Sequence, residues 1–112
     1  MKIAKDTEDK IKKLQLFEQN MQTLGMQKQQ YNGQLMEVES ALNELEKAEN
    51  AYKIVGNIMV KKEKASMKEE LEQKKEMLSI RVRTLDKQEE NVRRKSSELQ
   101  KEVLVEMKDE TT

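Results

Sequence analysis

The 112-residue sequence contains no cysteine, no histidine and no proline, and it has very few aromatic residues. Without cysteine and histidine, disulfide bonds, zinc sites and histidine-based acid–base catalysis are excluded. Without proline, a long helix can run uninterrupted, since proline costs roughly 3 kcal/mol in a helix interior. One Phe, two Tyr and no Trp supply little of the apolar material that an ordinary globular core requires.

Charged residues are abundant and balanced: they make up 39% of the chain, with 22 basic and 22 acidic side chains. High charge with few aromatics is typical of disordered chains and of extended coiled coils. A net charge of zero provides no electrostatic basis for general nucleic-acid binding. No apolar run approaches the roughly 18 residues of a membrane span, and the charged start is unlike a signal peptide. We therefore expect a cytoplasmic protein.

The first half of the chain has the apolar periodicity of a coiled coil. Apolar residues recur at alternating steps of three and four from Leu14 to Leu45, and only Lys28 interrupts the row. A period of 3.5 residues sustained over four heptads predicts one coiled-coil helix, over about residues 7–48. At 1.5 Å per residue, such a helix would be about 60 Å long.

The second half predicts another helix, over about residues 67–108. A leucine or valine recurs every seven residues from Leu71 to Leu99, while the intervening core positions mix polar and apolar residues. Ser66 and Glu69 have the spacing of a capping box at the start of this helix. The second helix should therefore pack against the first, more loosely in some layers than in others.

Between the helices, β-branched and aromatic residues gather around Gly56 and Asn57, at the middle of the chain. A two-residue turn there predicts a β-hairpin over about residues 51–62, in which Val55 pairs with Ile58. Both hairpin faces are apolar near the turn, and an isolated hairpin is marginal in water. We expect hairpins of several chains to pair with one another; the alternative is a hairpin folded back over its own helices. The predicted oligomerisation residues are Tyr52, Ile54, Val55, Gly56, Asn57, Ile58, Met59 and Val60.

Two features predict the same antiparallel alignment of the helices. In one register, facing residues have numbers that add to 113, so that Leu42 faces Leu71, and the centre of the turn gives the same value. This register brings Lys28 within one layer of Glu89, where the opposite charges screen each other. Alignments slipped by one heptad remain alternatives. The predicted fold class is mainly α: a long antiparallel two-helix coiled coil with one central β-hairpin that oligomerises into a β-barrel platform.

Apolar residues outside the heptad rows collect near both termini, which the hairpin alignment brings together. Three residues of the rows join them in a set that we call the terminal tip: Ile11, Leu14, Leu16, Phe17, Val103, Leu104, Val105 and Met107. A pair of helices would leave much of this set uncovered, and contiguous exposed apolar surface usually marks an interaction site. The alternative is a group of stray aliphatic residues at fraying helix ends.

No catalytic constellation is visible in the sequence. The three glycines are too far apart for a phosphate-binding loop, and no base is present to activate a serine. The acidic residues alternate with lysines at helical spacing, as solvated ion pairs do. We expect neither an enzyme nor a cofactor.

Three segments carry a family resemblance: Ala51-Tyr-Lys-Ile-Val-Gly-Asn-Ile-Met-Val-Lys61, Leu71-Glu-Gln-Lys-Lys-Glu76 and Leu85-Asp-Lys-Gln-Glu-Glu90. They resemble the beta-type subunits of the prefoldin family, most of all the archaeal ones, and the match covers about residues 10–108. The single hairpin is similar to the beta type, because the alpha type carries two.

The resemblance implies one prefoldin-beta-like domain over residues 1–112. It implies a hexamer with a prefoldin alpha subunit, two alpha and four beta, whose hairpins form a double β-barrel platform. The hexamer would be an ATP-independent holdase that binds unfolded client proteins and delivers them to a group II chaperonin, with no nucleic acid or membrane as partner. The alternative function is a coiled-coil scaffold or adaptor for one folded partner. The predicted client-binding residues are Ile11, Leu14, Leu16, Phe17, Val103, Leu104 and Met107.

Overall fold

The computed structural model describes the backbone of residues 3–111 and the side chains of residues 3–109. Its elements are α1 (Lys5–Lys47), β1 (Ala51–Val55), β2 (Ile58–Lys62) and α2 (Lys64–Thr111), in that order. The predicted mainly α class, with two long helices around one central hairpin, is confirmed. Residues 1, 2 and 112, at the ends of the predicted domain, lie outside the described residues. Within the described chain, neither helix combines the length and apolar character needed to cross a bilayer.

The start of α2 differs from the prediction. The helix begins at Lys64, and the amide of Met67 already donates a hydrogen bond to the carbonyl of Glu63 at 3.0 Å. Ser66 therefore lies inside the first turn, and the predicted capping box is wrong. The physical reason is the length of β2, which stays paired through Lys62 and leaves a single residue before the helix.

The hairpin has the predicted register. Val55 pairs with Ile58 and Ile54 with Met59, so every strand pair joins residues whose numbers add to 113. Gly56 has a φ of 61°, the left-handed conformation that a tight two-residue turn requires at its first position. Because glycine lacks a Cβ, it adopts this conformation without strain.

The described residues fall into two compact units. The terminal unit comprises the residues up to Lys28 and those from Thr84 onward, and the hairpin unit is Gln29–Arg83. The most deeply buried apolar residues of both units come from the predicted heptad rows, with Ala51 of β1 in addition. They are Val38, Leu45, Ala51 and Leu78 in the hairpin unit, and Leu85 and Val103 in the terminal unit.

In the terminal unit, polar contacts show that the two helical segments run antiparallel. Thr7 of α1 donates a hydrogen bond to Glu106 of α2 at 2.9 Å, whereas Lys28, farther along α1, contacts Asp86 and Glu89, both at 2.8 Å. The predicted contact between Lys28 and Glu89 is confirmed. Hydrogen bonds to Asp86 and then Glu89 raise the pKa of Lys28, so the charge of this lysine in the heptad row is stabilised by two carboxylates.

In the hairpin unit, the helical segments are also antiparallel. Arg81 donates a hydrogen bond to the hydroxyl of Tyr31 at 3.1 Å and lies 5.5 Å from the centre of its ring. Glu39 and Lys75 form an ion pair at 3.8 Å, one heptad closer to the hairpin. The residue numbers of each pair add to a value within one of the predicted 113, so the pairs agree with the predicted register.

Candidate functional site

The hairpin presents its apolar side chains to solvent. Six of them are between 48% and 68% exposed: Tyr52, Ile54, Val55, Ile58, Met59 and Val60. The alternative of a hairpin folded back over its own helices is therefore wrong for the chain by itself. The sheet has two strands, so within the described residues the outer edge of each strand has no strand partner. Unpaired edges of this kind are templates for further pairing.

The base of the hairpin is held against α2. Ala51 is only 6% exposed. Lys53 and Lys62 both donate hydrogen bonds to the carboxylate of Glu70, the first at 2.5 Å. These two bonds, that from Lys53 above all, lower the pKa of Glu70 to about 2. A base that is anchored to α2 and an exposed outer part leave the apolar residues near the turn free to contact another molecule.

The terminal tip is apolar on its outside, and the structure places its members at three depths. Leu16, Leu104 and Val105 are 57%, 68% and 60% exposed. The half-buried members are Ile11, Leu14, Phe17 and Met107. Val103 is only 7% exposed, so the structure assigns it to packing between the helices and not to the outer surface. Its burial is explained by its place in the heptad pattern, because it occupies one of the intervening core positions of α2.

An open groove of about 510 Å³ lies beside the half-buried residues of the terminal tip. All the apolar residues that line it come from α1, and those from α2 are polar or charged; Glu18 and Arg93 are its charged residues. Ser96, at a core position of α2, is one of its lining residues and leaves more space beside Phe17 than a larger apolar residue would. The lining residues are Ile11, Leu14, Gln15, Phe17, Glu18, Met21, Arg93, Ser96, Ser97 and Gln100.

A polar cluster joins the helix ends in the same unit. The hydroxyl of Thr7, a residue only 1% exposed, and the ammonium group of Lys10 both donate to the carboxylate of Glu106. These bonds lower the pKa of Glu106, and the bond from Lys10 has the largest effect, so the carboxylate stays ionised to a lower pH than an ordinary glutamate. Lys10 also lies 3.5 Å from Asp6 and 3.9 Å from Glu102. The ends of the two helices are thus tied together by charge.

Nothing in the described residues groups three or more acidic side chains in a way that could hold a metal ion. The geometry instead provides two apolar surfaces, one on the hairpin and one on the terminal tip. A family model described as prefoldin subunit matches residues 8–110. The chain belongs to the prefoldin family.

Known prefoldins resemble this chain over most of its length. It is 38% identical to the prefoldin subunit beta of Archaeoglobus fulgidus, over 83% of each chain. It is 35% identical to the prefoldin subunit beta of Sulfurisphaera tokodaii, over 91% of this chain and 84% of that protein. Its fold matches the crystal structure of the prefoldin beta subunit from Thermococcus strain KS-1 with a TM-score of 0.86, at 30% identity, over 91% and 92% of the two chains.

Prefoldin is a chaperone family and not an enzyme family, and this chain is a prefoldin-type chaperone subunit.

Two features of the candidate surfaces were missed by reasoning from the sequence. Ser96 was seen only as a polar residue in a heptad row, although the 113 register already places it opposite Phe17. Glu70 gives no signal in the sequence, because its partners Lys53 and Lys62 lie in the hairpin and meet it only through the way the hairpin contacts α2.

Proposed function

We propose that this prefoldin subunit is part of an ATP-independent holdase, which binds unfolded proteins at the terminal tip and delivers them to a group II chaperonin. The observation that carries the proposal is the exposure of Leu16, Leu104 and Val105, each more than half accessible to solvent. Unfolded proteins expose apolar side chains without a fixed shape. A surface of aliphatic and methionine side chains suits such clients, because it adapts to many partners.

The groove beside Phe17 and Met21 extends the proposed client surface. It offers apolar side chains of α1 to a client side chain, and its charged lining residues, Glu18 and Arg93, can hydrogen-bond the polar backbone of the same segment. Met21 adds a flexible side chain that can follow clients of different shape. The groove and the three exposed residues together provide both a shallow and a deeper contact for an unfolded chain.

One terminal tip alone would bind weakly. Burying one leucine side chain stabilises a complex by roughly 1.5–3 kcal/mol, and the ordering of a flexible client opposes much of that gain. Several tips joined in one assembly would hold the client at high effective concentration. The proposed mechanism therefore depends on oligomerisation.

The hairpin is the proposed assembly surface. Its six exposed apolar side chains and its unpaired strand edges support pairing with hairpins of other subunits. We propose a hexamer of two alpha and four beta subunits, in which these hairpins build a double β-barrel platform. We also propose that residues 1–112 act as one domain and that the hexamer works in the cytoplasm.

Aggregation assays on the assembled complex test the proposed function. The chain is assembled with an alpha-type prefoldin subunit encoded in the same genome, and three unrelated denatured proteins are each diluted into it without nucleotide. We expect suppression of light scattering for all three, and release of the bound protein when a group II chaperonin is added. A scaffold for one folded partner would leave most of the three to aggregate, and that result would overturn the proposal.

The Ser96→Leu substitution is expected to stabilise the chain and to weaken client binding at the same time. Leucine occupies the part of the groove opposite Phe17, and burying its side chain in part adds about 1 kcal/mol to the free energy of unfolding. The narrowed groove leaves less room for a client side chain beside Phe17. We expect a melting temperature several degrees higher, by circular dichroism, and a several-fold higher concentration of complex for half-suppression of aggregation.

Ser97→Ala is the matched control, because it also removes a groove hydroxyl but adds no volume. It should leave suppression close to that of the unmodified complex. If Ser96→Leu raises the melting temperature and suppression is unchanged, the groove is not part of the client surface.

A further inference from the structure

Glu70 connects both strands of the hairpin to α2. Its carboxylate accepts hydrogen bonds from Lys53 in β1, at 2.5 Å, and from Lys62 in β2. The three side chains are each between 32% and 43% exposed, so the contact lies at the surface and not in the core. One side chain of α2 thereby holds both strands of the hairpin.

The two lysines lie on the same face of the hairpin. Lys53 pairs with Val60. Lys62 pairs with Ala51, and this pair lies two residues farther from the turn along each strand. Diagonal neighbours on one face of a two-stranded sheet are within reach of each other's long side chains. Without Glu70, two ammonium groups would stand close together at the base of the hairpin and repel each other.

The ion pairs bring one face of the hairpin to the carboxylate of Glu70. Lys53 and Lys62 share their face with Val55, Ile58 and Val60, because side chains alternate along each strand. Binding to Glu70 draws the base of this face to α2. Tyr52, Ile54 and Met59 belong to the opposite face of the hairpin.

We propose that Glu70 is a positioning residue for subunit assembly, which fixes the orientation of the hairpin on α2 before the hairpin pairs with other subunits. The inference rests on the proposed function, because it concerns the proposed assembly surface. A hairpin held in one orientation loses less conformational freedom when it pairs, so the assembly is tighter. Glu70 is ionised at neutral pH, and its lowered pKa preserves the restraint in mildly acidic solution as well.

Charge variants of Glu70 test this role. The chain with Glu70→Gln or Glu70→Lys is mixed with the alpha-type subunit, and the dissociation constant of the hexamer is measured by sedimentation. We expect Glu70→Gln to weaken assembly roughly threefold to tenfold, as loss of a surface ion-pair network would. Glu70→Lys should weaken it further, because three like charges would then meet. Far-ultraviolet circular dichroism of each isolated variant should show unchanged helix content.

The neighbouring Glu69 supplies matched controls. It is exposed on the same turn of α2, so Glu69→Gln and Glu69→Lys make the same charge changes and should assemble like the unmodified chain. Salt provides a readout that a packing defect would not move. At 0.5 M NaCl, charges are screened within roughly 4 Å. The hexamers of Glu70→Lys and of the unmodified chain should then differ less in their dissociation constants.

The outcomes separate this inference from the proposed function. If the unmodified chain assembles and both Glu70 variants match it, the positioning role of Glu70 is overturned and the proposed function stands. If the unmodified chain does not assemble with the alpha-type subunit at all, the proposed assembly is overturned, and the role of Glu70 with it.

Discussion

A chain with Ile54→Asp and Met59→Asp is expected to stay helical but to fail to assemble with an alpha-type subunit. The two residues pair directly across the hairpin, and they are 68% and 65% exposed in the chain by itself. Their replacement therefore removes little packing from the isolated chain. In the proposed platform, however, two unpaired carboxylates would have to leave water, at a cost of several kcal/mol each. We expect the dissociation constant of the hexamer to rise at least a thousandfold.

Native mass spectrometry and circular dichroism check this result together. The control chain carries Met26→Asp and Met36→Asp, which add the same charge at two methionines that are 72% and 69% exposed on α1. The control should form the hexamer with normal mass. Hexamers of full mass from the hairpin variant would show that the hairpin is not the assembly surface.

The second large effect is expected at the terminal tip. Replacing Leu16, Leu104 and Val105 together with serine removes the most exposed apolar side chains of the proposed client surface. Because each is more than half exposed, the fold should lose little stability. Since binding by several tips multiplies each loss, we expect at least a tenfold higher concentration of complex for half-suppression of client aggregation. Hexamer mass should not change.

The matched control replaces three other exposed apolar residues, Met26, Met36 and Ile80, which are 72%, 69% and 49% exposed. This variant loses as many exposed apolar side chains outside the terminal tip. Its suppression should remain close to that of the unmodified complex. If both variants lose suppression equally, clients bind along the helices and not at the terminal tip.

The elements of this fold could be predicted because local chemistry determines them. The 3.5-residue period specifies the helices, and Gly56 with its neighbours specifies the turn and, through it, the register of the strands. The start of α2 could not be predicted in the same way. Ser66 and Glu69 have the local spacing of a capping box. However, the strands stay paired through Lys62, and the helix begins at Lys64, before Ser66.

The sequence predicts where the candidate surfaces lie, but not how deeply their individual residues are buried. Apolar residues off the heptad rows identified the terminal tip, but the burial of Val103 depends on how tightly the helix ends pack. Thr7 and Lys10 hold those ends through Glu106. The 113 register places Thr7 opposite Glu106, but apolar periodicity gives no sign of the hydrogen bonds between them. Contacts between long polar side chains depend on the rotation of each helix about its axis, and apolar periodicity defines that rotation only approximately.

Lys28 has a consequence for the uniqueness of the fold. Its ammonium group finds Asp86 and Glu89 in the observed alignment. Sliding α2 by one heptad would put Ser79 and Val82, or Arg93 and Ser96, in their place, and the lysine would lose both carboxylates. Leucine layers tolerate such a slide, whereas a charged layer does not. Lys28 therefore favours the observed register over the neighbouring ones, although a lysine in the heptad row contributes less apolar packing than a leucine would.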